Sequence, residues 1–493
     1  VIFQLWQGVA PKDPFIIGAK AVGLIEMIEL GLPVPYGYCI TTDSVVENDF
    51  PYLDEWMDLL NEAISSLDDG ESKRKGPLLV SVRSGAPVSM PGMMDTILNV
   101  GLTRDSITSL NDAYKAPVAF GYDCYRRLIS MYGTSVENID RKAFNEYYLA
   151  ARDFFIDVSQ SERAVRVLVE KYETLYEKET GSAFPSSAIV QLERSVLAVF
   201  NSWNSPTAAS YREMHNISHD LNTAVIVQQM VYGNINDSSS TGVVFTHNPN
   251  TGTKGWFGEY VVCAQGEDVV SGSHTTQSIE EITRNEKLNA AGKSLKSALS
   301  KLYNKKGDML DVEFTIENGK LYILQCRPAK RSRRADVRFA LDNVREGRIT
   351  SEEATSRILS FLPQTEISSI DEQKVESVGL GVPVGGSIIC APIAIGQTVA
   401  NEYAERGDDF IFVALETSPS DHVQMASSVG ILTAQGGALS HAAVIARSWN
   451  KPCVVGCADM EVFDDFVIIG QVKLSNNDLI QINGETGEVH VVV

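Results

Sequence analysis

A change in the spacing of apolar residues near position 222 constrains this chain more than its composition does. Before that point, residues 106–200 are poor in strand signals. Side chains such as Tyr122, Tyr125, Leu128, Ile129 and Tyr132 recur there at helical spacing, which predicts a packed helical block. After it, residues 224–231 and 241–245 are β-rich, and a turn-rich run, Asn248-Pro-Asn-Thr-Gly252, follows. Residues 311–316 and 320–325 flank Glu317-Asn318-Gly319, which predicts a hairpin. Residues 1–105 read as mixed α/β, with a helix over 21–30 ended by Gly31 and an apolar strand over 78–82. Residues 330–362 are charged and helical, and 365–377 form a polar, acidic stretch without periodicity, read as a linker. From near Gly379 the short strands and a final Asn483-Gly-Glu-Thr-Gly487 turn predict a compact β-rich unit with a few helices. The fold class is α/β (α+β), and 493 residues are too many for one hydrophobic core.

Composition narrows the function classes. With 44% hydrophobic and 21% charged residues the chain has the make-up of an ordinary soluble globular protein. Its net charge of -21 repels nucleic acid and anionic membranes, so neither is expected as a bulk partner. An anionic substrate would need basic residues gathered locally. No apolar run approaches the ~18 residues of a membrane span. No basic-then-apolar leader is read at the start, so no signal peptide is expected. Seven cysteines, an odd number without a disulfide framework, fit a reducing compartment, and a cytoplasmic location is expected. Cys453 and Cys457 lack a second pair or nearby histidines, so they read as structural rather than zinc-binding.

The strongest chemical signal is Gln435-Gly-Gly-Ala-Leu-Ser-His441-Ala-Ala-Val-Ile-Ala-Arg447. An apolar strand over 430–433 enters a glycine turn, and good helix formers follow to Trp449. Ser440 reads as an N-cap, which places His441 in the first helical turn. The positive end of a helix disfavours an imidazolium and leaves the ring neutral and nucleophilic. A capping serine before a merely buried histidine fits the same residues. Two further constellations carry oxygen and guanidinium groups. Arg83 ends a strand beside a loop rich in Ser, Gly and Met, a placement suited to phosphate and equally to a surface arginine. Strand alternation puts Asp311 and Glu313 on one face, with Gln325 and Arg327 on one face of the hairpin partner. Such oxygens suit Mg²⁺, with Arg327 neutralising charge beside it; a solvated face with a cross-strand pair is the plainer reading.

The His441 segment resembles the phosphohistidine motif of the PEP-utilising enzymes. The run from Leu415-Glu-Thr-Ser-Pro-Ser-Asp421 through Lys451-Pro-Cys-Val-Val-Gly-Cys457 looks like the pyruvate phosphate dikinase family in particular. Val80-Ser-Val-Arg83 and the loop to Leu98 are close to that family's signature. The resemblance implies an ATP-grasp domain over 1–340 with a helical insertion at about 106–200, a linker region over 341–378, and a swivelling β/β/α phosphohistidine domain over 379–493. It implies His441 as phosphoryl carrier, with Arg83 and Arg327 also catalytic. It gives Lys20, Arg83, Gln229, Met230, Glu259, Asp311, Glu313, Gln325 and Arg327 as ATP-binding, and Asp311, Glu313 and Gln325 as the Mg²⁺ ligands. The implied reaction is ATP plus inorganic phosphate plus histidine giving AMP, pyrophosphate and phosphohistidine. Thr241-Gly-Val-Val-Phe-Thr-His247-Asn248-Pro resembles the family's glycine loop over the phosphates.

Some positions depart from the family pattern. Ala19, Ala21 and Gly23 stand where the family has Gly, Gly and Asn, and His247-Asn248 where it has Arg-Asp. Gln435 stands for Arg, and Leu439 for the Thr that is the switch site of regulated members, so that control is expected to be absent. The departures also fit a nucleotide-binding regulatory pseudoenzyme. A phosphotransfer module serving a separate, non-pyruvate acceptor is a further reading, and a homodimer is open to it. The resemblance runs from about residue 18 to 490. The family's PEP- and pyruvate-binding (β/α)₈ barrel is not within it, so pyruvate and PEP chemistry is not expected from these residues alone.

Overall fold

The computed structural model describes residues 2–5, 11–44, 76–88, 90, 93–152, 159–270, 276–360 and 375–492. The protein is mixed α/β and divides into two compact units: Val1–Ser240 with Thr315–Cys326, and Thr241–Phe314 with Arg327–Val493. The chain therefore passes between units after Ser240, after Phe314 and after Cys326.

The first unit is built on a five-stranded sheet with β1 (Ile2–Gln4), β2 (Gly37–Ile40), β3 (Val80–Gly85), β4 (Thr96–Val100) and β5 (Ala224–Gln229) in the order β1-β2-β5-β3-β4. Central β5 runs antiparallel to both neighbours, and Val225, Ile226 and Val227 are buried. The helical block takes the form of Ile107–Tyr114, Val118–Ser135, Arg141–Arg152, Glu162–Thr180 and Ala188–Asn201. Tyr125, Leu128, Ile129 and Tyr132 join Val225 and Val227 in one core, with Tyr122 packed at its margin. The aromatic stripe is thus core, as helical spacing against an apolar strand requires.

The N-terminal helix is longer than its sequence pattern predicts. It spans Pro14–Glu29, because Asp13 caps it by accepting from the Phe15 N–H at 2.9 Å and Pro14 fits the first turn. The Gly18-Ala-Lys20 segment consequently lies within the helix, broken at Gly18, where φ is 77° and ψ is 153°. That break lets the backbone press on the end of β3. The Ala19 N–H donates to the Ala86 carbonyl at 3.0 Å, and a Cβ on Gly18 would fall 1.7 Å from the Gly85 oxygen. Only glycine meets both demands.

A second sheet has the order β10-β9-β6-β7-β8, from β6 (Ser240–His247), β7 (Lys254–Val262), β8 (Gln277–Ser278), β9 (Leu310–Glu317) and β10 (Lys320–Pro328). The segment resembling a phosphate loop is therefore the middle strand of this sheet. The β9–β10 hairpin closes through Asn318 (φ 48°) and Gly319 (φ 77°), the two left-handed residues of its tight turn.

The C-terminal part of the second unit is an eight-stranded sheet beside a three-stranded one. Its middle is parallel: Ile388–Ile395, Ile411–Ala414, Gly430–Thr433 and Cys453–Val455. Successive residues in these strands enter different cores. Ile393, Val413, Leu432 and Val454 face one, and Ala394, Phe412, Ile431 and Val455 face the other. Both faces are covered, which is why the strands read as continuous apolar runs. The helix His441–Trp449 covers one face with Ala442, Ala443, Ile445 and Ala446. Residues 365–374 of the linker reading lie outside the described residues, and 375–377 open the strand Val375–Leu380. Among the described residues no helix is long and apolar enough to cross a membrane.

The Gly18 contact yields a prediction. Gly18→Ala is expected to destabilise the first unit by about 3 kcal/mol or more, through a backbone clash in a conformation closed to alanine. Denaturant unfolding of the wild-type and variant chains, followed by tryptophan fluorescence, checks it; an unchanged midpoint would remove the contact from the argument.

Candidate functional site

Arg83 is the half-buried residue of a strand whose other positions are buried. Its Nη1 donates to Gln228 Oε1 at 3.3 Å and to the Leu324 carbonyl at 3.2 Å, and Nη2 reaches Gln325 Oε1 at 3.5 Å. Gln228 turns its oxygen toward Arg83 because its Nε2 donates to the Pro35 carbonyl at 3.1 Å. The Gln229 and Met230 N–H groups bond the Tyr36 and Leu79 carbonyls at 2.8 and 2.9 Å. The Met230 side chain is buried in the first unit's core. Lys20 rides on the N-terminal helix, whose Gly23 lies close enough to β10 that a Cβ there would meet the Cys326 carbonyl at 3.3 Å. The first unit thus brings Arg83, Gln228 and Gln325 together.

In the second unit, Arg327 and the two carboxylates meet across the hairpin. Arg327 Nε donates to Asp311 Oδ2 at 2.8 Å, and Nη2 lies 3.6 Å from Glu313 Oε1. Asp311 is buried, and burial pushes its carboxyl pKa up while the Arg327 guanidinium opposes the shift. Its Oδ1 is buried without a hydrogen-bond partner among the described residues. Hard oxygen donors with one acceptor spare fit a magnesium ion that travels with a nucleotide, which needs only one or two carboxylates. Among the described residues no group of three or more His, Cys, Asp or Glu could hold a metal alone, so phosphate oxygens would have to complete the shell.

His441 opens its helix behind Ser440, whose hydroxyl accepts from the Ala443 N–H at 3.4 Å. Gly436 (φ 108°) turns the chain into this cap. The ring Nε2 is buried without a hydrogen-bond partner among the described residues. Burial brings the pKa down to about 4, and the Asp421 carboxylate opposes the shift. The main cause is loss of water around the ring, where the sequence pattern suggested the helix field. Asp421 is held by Gln397 Nε2 at 2.8 Å and by the Ser418 N–H at 2.7 Å.

Other residues take places the sequence pattern did not convey. Glu259 on β7 lies against the glycine turn: a Cβ on Gly437 would be 3.3 Å from its Oε1. Burial raises the Glu259 pKa. His247 is buried between Tyr303 and Phe339, with ring centroids 5.1 and 5.0 Å away, and burial lowers its pKa to about 4. Asn248 shapes the turn that follows, its side-chain oxygen accepting from the Asn250 and Thr251 N–H groups at 2.8 and 3.1 Å. These two residues therefore serve packing and turn geometry. Arg447 is buried, and Nε and Nη2 lack partners among the described residues. The sequence shows it as the arginine that ends the His441 segment, with no sign that its guanidinium would be buried. Cys453 is buried, which pushes its thiol up to about 12, as a structural cysteine should be.

Comparison with known proteins adds two domain matches. The family described as "Pyruvate phosphate dikinase, AMP/ATP-binding domain" matches residues 45–292 and 280–348, and "PEP-utilising enzyme, mobile domain" matches 407–487. The chain is 40% identical over 496 residues to pyruvate, phosphate dikinase of Giardia intestinalis, covering 96% of this chain and 55% of that protein. It is 38% identical over 492 residues to the Clostridium symbiosum enzyme (96% and 56%) and 38% over 493 residues to the chloroplastic enzyme of Flaveria trinervia (96% and 51%). The chain spans about half the length of these relatives.

The buried His441 ring has a measurable signature. With its pKa lowered from 6.5 to about 4, the folded chain resists a proton that the unfolded chain accepts, so this group's contribution to stability falls as pH drops from 6.5 toward 4. An NMR titration of the ring nitrogens is expected to show neutral imidazole at His441 from pH 5 to 8. Protonation at the ordinary value would contradict the burial.

Proposed function

The chain belongs to the pyruvate phosphate dikinase family, and from that premise we propose that it transfers the β-phosphoryl group of ATP to His441. The observation that carries this reading is a neutral ring whose Nε2 is unpartnered among the described residues, at the first position of a helix behind a glycine turn. Such a nitrogen has its lone pair available at neutral pH. In the proposed step it attacks the β-phosphorus, the bond to the oxygen shared with the α-phosphorus breaks, and AMP leaves. The γ-phosphoryl passes to inorganic phosphate as pyrophosphate, and the β-phosphoryl stays on the ring.

The remaining residues take roles that follow from their chemistry. Arg83, set among amide oxygens, offers its guanidinium to the phosphates, and Lys20 adds a second cation. Gln229 and Met230 line the adenine, and Glu259 contacts the nucleotide or the carrier turn. Asp311, Glu313 and Gln325 would hold Mg²⁺, which when bound neutralises charge on the β- and γ-phosphates. Arg327, fixed by Asp311, stabilises negative charge that builds during transfer. The domain arrangement goes with this: an ATP-grasp region over 1–340 and a carrier over 379–493 that moves to deliver its phosphoryl group. The final acceptor, pyruvate in the relatives' named reaction, would be held by a barrel domain that is not among these 493 residues, whether joined to them or separate. The location proposed is cytoplasmic.

The test uses ATP labelled in the β-phosphate, with Mg²⁺ and phosphate. Wild-type chain should acquire up to about one label per chain, acid-labile as phosphoramidates are, with matching AMP. His441→Asn should acquire none, and label persisting there would sink the assignment. Arg83→Ala, Glu313→Gln and Arg327→Ala should each slow labelling by on the order of 10²–10³. Wild-type rates in two of those three would place the nucleotide elsewhere.

A further inference from the structure

Leu439 stands two residues before His441, in a turn with little side-chain mass of its own. It is 4% exposed, yet it belongs to neither core of the eight-stranded sheet it follows. Its cluster is Phe245, Tyr303, Met309, Ala329, Ala335 and Phe339, every one from the stretch between β6 and the helix Arg333–Arg345. A leucine at least 100 residues away in sequence (439 − 339 = 100) therefore joins an apolar cluster built otherwise from this one stretch.

A polar contact lies beside it. Asn250, fixed in its turn by Asn248 and by the Ser332 hydroxyl donating to its carbonyl at 2.6 Å, donates from Nδ2 to the Pro383 carbonyl at 3.0 Å. Its Oδ1 accepts from Arg447 Nη1 at 3.5 Å, and the Arg447 guanidinium stands over the Phe245 ring at 6.0 Å. Phe245 is thus shared: it receives Leu439 and faces Arg447. Asn250 and Phe245 lie at either end of the His247-Asn248 pair, whose packing and turn geometry hold both in place.

Resting on the reading of His441 as carrier, we propose that Leu439 is a positioning residue, the apolar anchor that seats the His441 turn on the Phe245 pocket for transfer from ATP, with Asn250 closing the seat. A seat of this kind acts on the position of the ring and leaves its chemistry alone. It must also release, and a single leucine with a few polar contacts is small enough to do so.

Two phosphoryl donors separate positioning from chemistry. ATP can phosphorylate His441 only from the seated arrangement, whereas phosphoramidate, a small donor whose P–N bond breaks with loss of ammonia as the ring N–P bond forms, needs no seat. In the full chain, Leu439→Ala should slow single-turnover labelling by ATP at least tenfold, with ATP affinity within about twofold of wild type and phosphoramidate labelling unchanged or faster. Leu439→Met, which keeps volume and apolarity, should restore most of the ATP rate, and Asn250→Ala should lose about two- to fivefold in the same direction. Hydrogen exchange should rise at 436–441 and 248–252 in Leu439→Ala while the strand Gly430–Thr433 stays protected. Labelling of Leu439→Ala by ATP at the wild-type rate overturns the anchor, as does an equal loss with both donors, which would mean Leu439 only shapes the turn. Failure of wild type to accept label from ATP would instead overturn the carrier reading, and the anchor with it.

Discussion

The carboxylate of Asp311 balances two guanidinium groups at once. Arg327 bonds it directly at 2.8 Å, and Arg447, buried and pushed down to about 10 by loss of water, is held against that fall by the same carboxylate. The balance is reciprocal, because Arg327 opposes the rise that burial imposes on Asp311. Removing one member of such a set leaves the others as uncompensated buried charge, a cost of about 3–5 kcal/mol. Sequence elements more than 100 residues apart are tied together by this one side chain.

The same economy of water shapes the histidine. A ring held neutral by burial is a good nucleophile and a poor stabiliser, since the folded state forgoes a proton that the unfolded state would take. His247 makes the same trade with no claim on chemistry, between Tyr303 and Phe339. Depressed basicity alone therefore does not single out the histidine proposed as carrier. The glycine turn and the cap distinguish His441, and the aromatic walls distinguish His247.

Local signals were legible where the physics is local. Asn318-Gly319 has one economical conformation between two strands, and Ser440 before good helix formers has one evident use, so the hairpin and the His441 helix stand where they were expected. The cross-strand meeting of Arg327 with Asp311 and Glu313 follows from alternation. The early start of the N-terminal helix was written in Asp13-Pro14 but was hidden by the glycine pattern that follows it. The departure at His247, where the family has Arg, could be read from the sequence, but its burial could not, because that depends on Tyr303 and Phe339, far along the chain. Leu439 is the extreme case: nothing nearby tells that its side chain leaves its own sheet.

The threading of the chain has a consequence for inheritance. Because the path crosses between units after Ser240, after Phe314 and after Cys326, residues 241–314 are an insertion in the first unit, and residues 315–326 return to complete it. A single genetic crossover in that interval cannot exchange either unit whole; it strands part of one unit's backbone with the wrong parent. A crossover before 240 divides the first unit and one after 327 divides the second, whereas one within the 240–327 segment divides both. The hairpin that joins Asp311 to Arg327 sits inside that segment, so its two strands pass on as one block.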